Sequence, residues 1–299
     1  MTDLLQRPER LRIRPRVRRR TARRRMTWSE LATYGAVLVL LVLAVVGPWI
    51  APHDPYLVDQ RNTLLAPSGE HWLGTDGTGR DLFSRLLAGA RPSIIGAVVT
   101  VLAAATIGVV VAAIAATAGR VVDGIVMRIC EVVLSLPVMM TGLGLAVALG
   151  PSQKSAVIAL ILASWPSFAR LARSEIRRVM VSPHVEAAQV LGVSRWRLLT
   201  KHVLPNSLDT VYVKAAMDVG GVIVIISSLS FIGAGAQAPS AEWGAMVESG
   251  SRFLNNAWWV TGAPGLAILV TSAAFSLAGD ALRARLDPML SSSLGEAPR

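Results

Sequence analysis

Cysteine, lysine and charge are all scarce in this sequence of 299 residues. The one cysteine, Cys130, has no partner within the chain, which excludes a disulfide framework. The lysines are Lys154, Lys201 and Lys214, and none follows a glycine, so no Walker A phosphate loop can be built. The glycine-rich stretch "GTDGTGRD" from Gly74 lacks that lysine and reads as a turn capped by Asp76 or Asp81. The four histidines are His53, His71, His184 and His202. The topology below puts two on each side of a membrane, so the four cannot converge on one metal, and neither a metal nor a cofactor site is expected. No series of carboxylates and histidines crosses the apolar segments, which argues against a proton-driven pump. No Ser/His or paired-Asp constellation suggests an intramembrane protease. Charged residues make up 16% of the chain, where soluble domains carry about a quarter.

What is abundant is apolar. Hydrophobic residues account for 53% of the chain and the mean hydropathy is +0.51. Several runs approach or exceed the ~18 to 20 residues that a spanning helix needs, so the expected fold class is an all-α membrane protein with six transmembrane helices. The first span is Leu31 to Ile50, too long for the apolar part of a cleaved signal. Leu82, Phe83, Leu86 and Leu87 then recur at helical spacing opposite Arg80, Asp81 and Arg85, the pattern of a short interfacial helix. The second span, Ile94 to Ala118, carries Gly96, Thr100, Ala104, Gly108, Ala112 and Ala116, a stripe of small residues that lets two helices approach closely. The third, about Ile125 to Leu149, contains Pro137 and is expected to kink there. The remaining spans are about Ala156 to Leu171, Val211 to Ile232, and Trp258 or Trp259 to Leu277.

Six crossings put both chain ends on one side. The first 25 residues hold eleven arginines, and with Arg120, Arg170, Arg173, Arg177, Arg178, Arg195, Arg197, Lys201, Arg283 and Arg285 they assign that side to the cytoplasm. The tail itself reads as a disordered basic arm against anionic lipid headgroups; no aromatic interleaving or folded module supports nucleic-acid binding. The resulting division is 1–27, basic cytoplasmic tail; 28–90, first span and external loop; 91–290, five further spans; and 291–299, C-terminal tail. Charged pairs inside the spans are few: Arg128 with Glu131, and Lys214 four residues before Asp218, a spacing that allows pairing or exposure to a watery cavity. Glu131, Pro137, Trp165, Lys214 and Asp218 are the candidates for a translocation path or for helix packing.

Between the fourth and fifth spans lies "SPHVEAAQVLGVSRWRLLTKHVLPN", Ser182 to Asn206. Ser182-Pro183 is a helix start, Gly192 permits a bend or a positive φ, Ser194 can cap a second helix, and Pro205 ends it. The pattern is helix, hinge, helix. Its alanines leave a smooth face that either another protein's groove or the lipid surface can accept.

"EAAQVLG" followed by "HVLPN" resembles the EAA loop of permease subunits of bacterial ABC importers, and the likeness is strongest to the C-type permease of dipeptide and oligopeptide importers. "HWLGTDGTGRDLFSRLLAGAR" from His71, "MRICEVVLSLP" from Met127, "WPSFARLAR" from Trp165, "SLSFIGAGAQAPSAEWGAM" from Ser228, "WWVTGAPGLAI" and "LAGDALRARLDP" match that family in order. The chain departs from it at Ile232 and Ala234, where FLGLG is usual, and at Ser276, often asparagine. The resemblance implies a non-catalytic bacterial inner-membrane subunit that imports di- or oligopeptides, with nickel or another small solute as the alternative cargo. It implies coupling helices over 183–204, with Glu186, Ala187, Ala188, Leu191, Gly192, Leu204 and Pro205 meeting the ATPase. The implied partners are a second, homologous permease subunit, two ATPase subunits that bind ATP and magnesium, an external substrate-binding protein and membrane lipid. A stand-alone secondary transporter would leave the polar block without a role.

Overall fold

The computed structural model describes residues 26–286. The arginine-rich arm and the last residues, with their assigned roles, lie outside that range. The described residues form helices and no strand: α1 (Trp28–Ile50), α2 (Leu82–Ala90), α3 (Gly96–Thr117), α4 (Arg120–Leu134), α5 (Val138–Ala148), α6 (Gln153–Met180), α7 (Pro183–Val190), α8 (Arg195–Leu198), α9 (Asp209–Phe231), α10 (Trp243–Ser251) and α11 (Trp259–Leu286). Five helical runs are long and apolar enough to cross a membrane, and the bent pair α4–α5 makes a sixth where the two count as one span. Leu38 and Val45 on α1, Leu102 and Val110 on α3, and Leu266 and Leu269 on α11 are exposed, as suits helices solvated by lipid chains.

Small residues set the closest packing. Thr100, Ala104, Gly108 and Ala112 of α3 are buried, as the stripe predicts. A Cβ on Gly108 would stand 2.6 Å from the Phe168 Cβ and 2.9 Å from the Trp165 carbonyl oxygen, so hydrogen alone lets α3 lie against α6.

Two expectations are corrected. α2 is not an interfacial helix: it runs through a π-helical turn, Arg91–Ile95, into α3 as one 36-residue helix. Leu82, Ser84, Arg85, Ala88, Gly89 and Ala90 are buried within the protein, because the polar face holds paired rather than solvated groups. The 90/91 division therefore falls within a continuous helix. The third span does more than kink: α4 and α5 meet at 89°, with Pro137 as the residue preceding α5. Proline has no N–H to continue the ladder and it disfavours helical backbone at Leu136, so the chain turns there. The helix α10 lies inside a stretch that shows no span-like signal.

The bundle has two distinct ends. One, the loop face, holds residues 51–81 and 232–257. The other, the elbow face, holds the α6–α9 connection and both ends of the described chain. There Thr27 and Glu30 form a capping box at the start of α1, and the Arg285 guanidinium near the end of α11 donates to Glu30 Oε2 at 3.1 Å.

The loop face is stapled by buried polar groups. Arg85, with a side chain 3% exposed, donates to the carbonyls of Pro55 (3.0 Å) and Ser240 (3.1 Å) and lies 3.4 Å from Asp76 Oδ2. Glu242 is fully buried, accepts from the Ala245 N–H at 2.9 Å as the cap of α10, and accepts from the hydroxyls of Ser93 and Ser227. The Trp243 indole donates to the Leu86 carbonyl at 3.0 Å. These bonds tie α2, α9 and α10 into one cap.

Candidate functional site: the elbow between α6 and α9

The elbow follows from its sequence. α6 is 28 residues long, about 42 Å at 1.5 Å per residue, and continues past Leu171 through Arg173, Arg177 and Arg178 to Met180. The charges do not end it because they are paired: Asp123 of α4, itself buried, accepts from Arg173 and from Arg177 (2.6 Å), and Glu175 takes Arg178 at 2.6 Å. The fourth span thus extends further toward the elbow face than its apolar run.

After Ser182, α7 starts with Pro183 in its first turn, where a missing N–H costs nothing. Ser182 does not cap the helix by its side chain; its hydroxyl donates back to the Val179 carbonyl. Ser194 likewise precedes α8 without a side-chain bond.

The turn between the helices depends on Gly192. Its φ is +77°, its N–H donates to Gln189 O at 2.9 Å, and the Val193 N–H donates to Ala188 O at 3.1 Å. That pair of bonds is a Schellman closure, which needs the left-handed backbone that glycine adopts without strain. Pro205 does not terminate α8 directly. The run continues through a π turn, Leu199–Val203, and a 3-10 turn, Leu204–Asn206, that includes it.

Packing divides the elbow into an inner and an outer side. Val185, Ala188, Leu198 and Val203 are buried. Glu186, Ala187, Gly192 and Pro205 are exposed, and Leu204 is half-buried. Val190, Leu191 and Trp196 are 88%, 83% and 74% exposed, an apolar surface at the tip of a charged segment. Ala188 therefore anchors the elbow from within, while Ala187 shares the outer surface with Leu191. Val190 and Trp196 were not singled out by sequence reasoning; their place beside Leu191 and around the glycine turn was the available signal.

The other candidates are scattered. Arg128 and Glu131 pair on an outward face of α4, with side chains 81% and 57% exposed. Lys214 Nζ lies 2.8 Å from Asp218 Oδ2 and 5.0 Å from the Phe168 ring centre, so the pair is satisfied within the bundle. Trp165 packs half-buried against the core, and Pro137 marks the α4–α5 break. At the loop face His53, His71 and Asp81 bring ligand atoms within 4.8 Å of one another. His184 and His202 stay on the elbow.

Residues 104–292 match the family described as binding-protein-dependent transport system inner membrane component, and residues 19–67 match the N-terminal transmembrane domain of oligopeptide transport permease C. The chain belongs to the first family. Similar to this inner membrane component are the probable D,D-dipeptide transport system permease protein DdpC of Escherichia coli, 42% identical over 92% of this chain and 95% of that one, and the dipeptide transport system permease protein DppC of Bacillus subtilis, 36% identical over 89% and 84%. The nickel transport system permease protein NikC of Escherichia coli is 32% identical over 88% and 95%. Its fold is similar to a chain in a structure of the MetNI methionine ABC transporter, with a TM-score of 0.53, 18% identity, and 67% of this chain and 96% of that chain covered. This component is thus a multi-span helical permease of the inner membrane.

Proposed function

We propose that this permease is one half of the translocation path of an ATP-driven importer of di- or oligopeptides, and that the elbow is where ATPase subunits push on it. The observation that carries the reading is the exposed apolar tip, Val190, Leu191 and Trp196, where α7 meets α8, directly after α6, a helix about 42 Å long that runs on into the bundle. A rigid helix transmits a displacement at its end to its packing partners, so closure of the ATPases on the tip would tilt α6 against α3 and α9. Glu186, Ala187, Leu191 and Gly192 form or shape the contact, Ala188 and Leu204 hold the elbow to the bundle, and Pro205 closes its last turn. ATP and magnesium belong to the ATPase subunits, and an external binding protein delivers the cargo. A second, homologous permease completes the path.

The elbow face is assigned to the cytoplasm because it carries Arg170, Arg173, Arg177, Arg178, Arg195, Arg197, Lys201, Arg283 and Arg285. Both chain ends would lie there. Peptide as cargo rests on DdpC and DppC, whose names state dipeptide transport. NikC favours nickel as the second reading.

Reconstituting the permease with its sister, ATPases and binding protein in vesicles tests the proposal. ATP-dependent uptake of labelled dipeptide, and none of nickel, is expected; the reverse overturns the peptide reading, and flux by this chain alone without ATP overturns the coupling. Glu186→Lys is expected to lower uptake per ATP hydrolysed several-fold while leaving membrane insertion unchanged.

A further inference from the structure

We propose that His53, His71 and Asp81 form a binding site for a divalent transition metal of the zinc class on the loop face, independent of the elbow and of the cargo.

Three segments between residues 53 and 81 converge to make it. His53 lies just beyond α1, His71 in the turn of residues 68–74, and Asp81 directly before α2. Each is held by its backbone or by a neighbour. The His53 N–H donates to Ser84 Oγ at 3.0 Å, the His71 N–H to Ser68 Oγ at 3.1 Å, and Asp81 Oδ2 accepts from the Ser84 N–H at 2.8 Å. Preorganised ligands are what a metal site requires, because ordering them costs little at the moment of binding.

The distances suit a metal better than a hydrogen-bond network. His71 Nδ1 lies 2.9 Å from Asp81 Oδ1, and His53 Nδ1 lies 3.7 Å from Asp81 Oδ2. The first is a hydrogen bond. The second is too long for one, and His53 Nδ1 is buried without any hydrogen-bond partner. A second imidazole nitrogen turned toward the same carboxylate and left unsatisfied has no purpose in a simple hydrogen-bonded turn. Zinc bound at about 2.0–2.1 Å in tetrahedral geometry places its ligand atoms roughly 3.4 Å apart; the two imidazoles stand 2.9 and 3.7 Å from the two different oxygens of Asp81, and one ligand atom from each residue lies within 4.8 Å of the others. The His53 and His71 rings lie 5.1 Å apart at 42°.

The donor set chooses the class of ion. Two imidazoles and one carboxylate suit zinc, nickel or copper, whereas calcium and magnesium take oxygen ligands. Three protein ligands leave a fourth position for water. The His53 side chain is 38% exposed, which supplies an entry path. A bound ion takes the Nδ1 lone pair of each ring, which places the His71 proton on Nε2. The bound ion would clasp the segment after α1 to the start of α2.

The test is zinc binding by the full-length chain, purified in mild detergent without a histidine tag, stripped with chelator and equilibrated with zinc chloride. One zinc per chain is expected, with visible absorption of tetrahedral type when cobalt replaces it. His53→Ala removes a half-exposed ring that makes no side-chain hydrogen bond, so it should fold normally and bind zinc at least about tenfold more weakly. The double variant His184→Ala, His202→Ala should bind as the wild type does. Absence of bound zinc in the wild type, equal affinity in His53→Ala, or loss of zinc in the double variant would each overturn the proposal.

Discussion

The two ends of this bundle differ in the groups that set them apart. At the loop face, charged groups are turned inward and satisfied: Arg85 by two carbonyls and Asp76, Glu242 by an amide and two serines. At the elbow face, apolar groups are turned outward and left uncovered: Val190, Leu191 and Trp196. Buried charge that is paired by backbone groups fixes one arrangement, because any other leaves an ion unsolvated. Exposed apolar surface stabilises nothing in the isolated chain and gains free energy only when something covers it. The loop face is a cap, and the elbow is a handle.

That contrast predicts how substitutions should divide. The largest loss of stability is expected from Arg85→Ala, which leaves the buried carbonyls of Pro55 and Ser240 unpaired and takes one of two guanidinium partners from Asp76, at a cost of about 3–5 kcal/mol. A melting temperature in detergent equal to wild type would show that the cap is not what holds this end together. Gly192→Val comes next, because a β-branched residue at φ +77° costs about 1–3 kcal/mol of local strain. It should be read as weaker protection of amides 185–198 from hydrogen exchange, with the spans unaffected; a loss of protection spread over all spans would break the separation of handle and bundle.

The acid limb of stability offers a third comparison. Burial opposes the charge of Asp76, yet the hydroxyl and N–H of Thr78, with Arg80 beside it, outweigh burial and hold the carboxyl below its usual 3.8. A carboxyl depressed in the native state contributes stability that is complete above the unfolded value and is lost as pH falls through the native one. Melting temperature should therefore hold down to about pH 5 and drop below about pH 4, with Asp76→Asn flattening that limb. An unchanged acid limb in the variant would place the acid sensitivity elsewhere.

The smallest effect on stability belongs to Leu191→Ser, within about 0.5 kcal/mol because the side chain is 83% exposed. The same variant should retain far less ATPase on co-purification. Full retention would remove Leu191 from the contact.

Much of this architecture was legible in advance, and unevenly so. The spans announced themselves because a bilayer demands a long apolar run, and the α3 stripe announced a close helix contact because only small side chains permit one. The hinge at Gly192 was readable from a single residue, since its conformation is forced locally. The burial of α2, the extension of α6 and the α10 helix were not. Arg80, Asp81 and Arg85 look like a solvated face until Asp76, His71 and the carbonyls of Pro55 and Ser240 are brought to them. Arg173 and Arg177 likewise look like a helix end until Asp123, some 50 residues earlier, is placed beside them.

The sequence alone thus determined that the chain is a helical membrane bundle, which helix faces can touch, and where the polar elbow lies, because these depend on hydrophobic length, side-chain size and local backbone freedom. Only the tertiary structure decided which charges are neutralised, how sharply α4 turns into α5, which of Ala187 and Ala188 faces outward, and that His53 and His71 meet at Asp81. Those outcomes depend on groups distant along the chain, and no local periodicity records them.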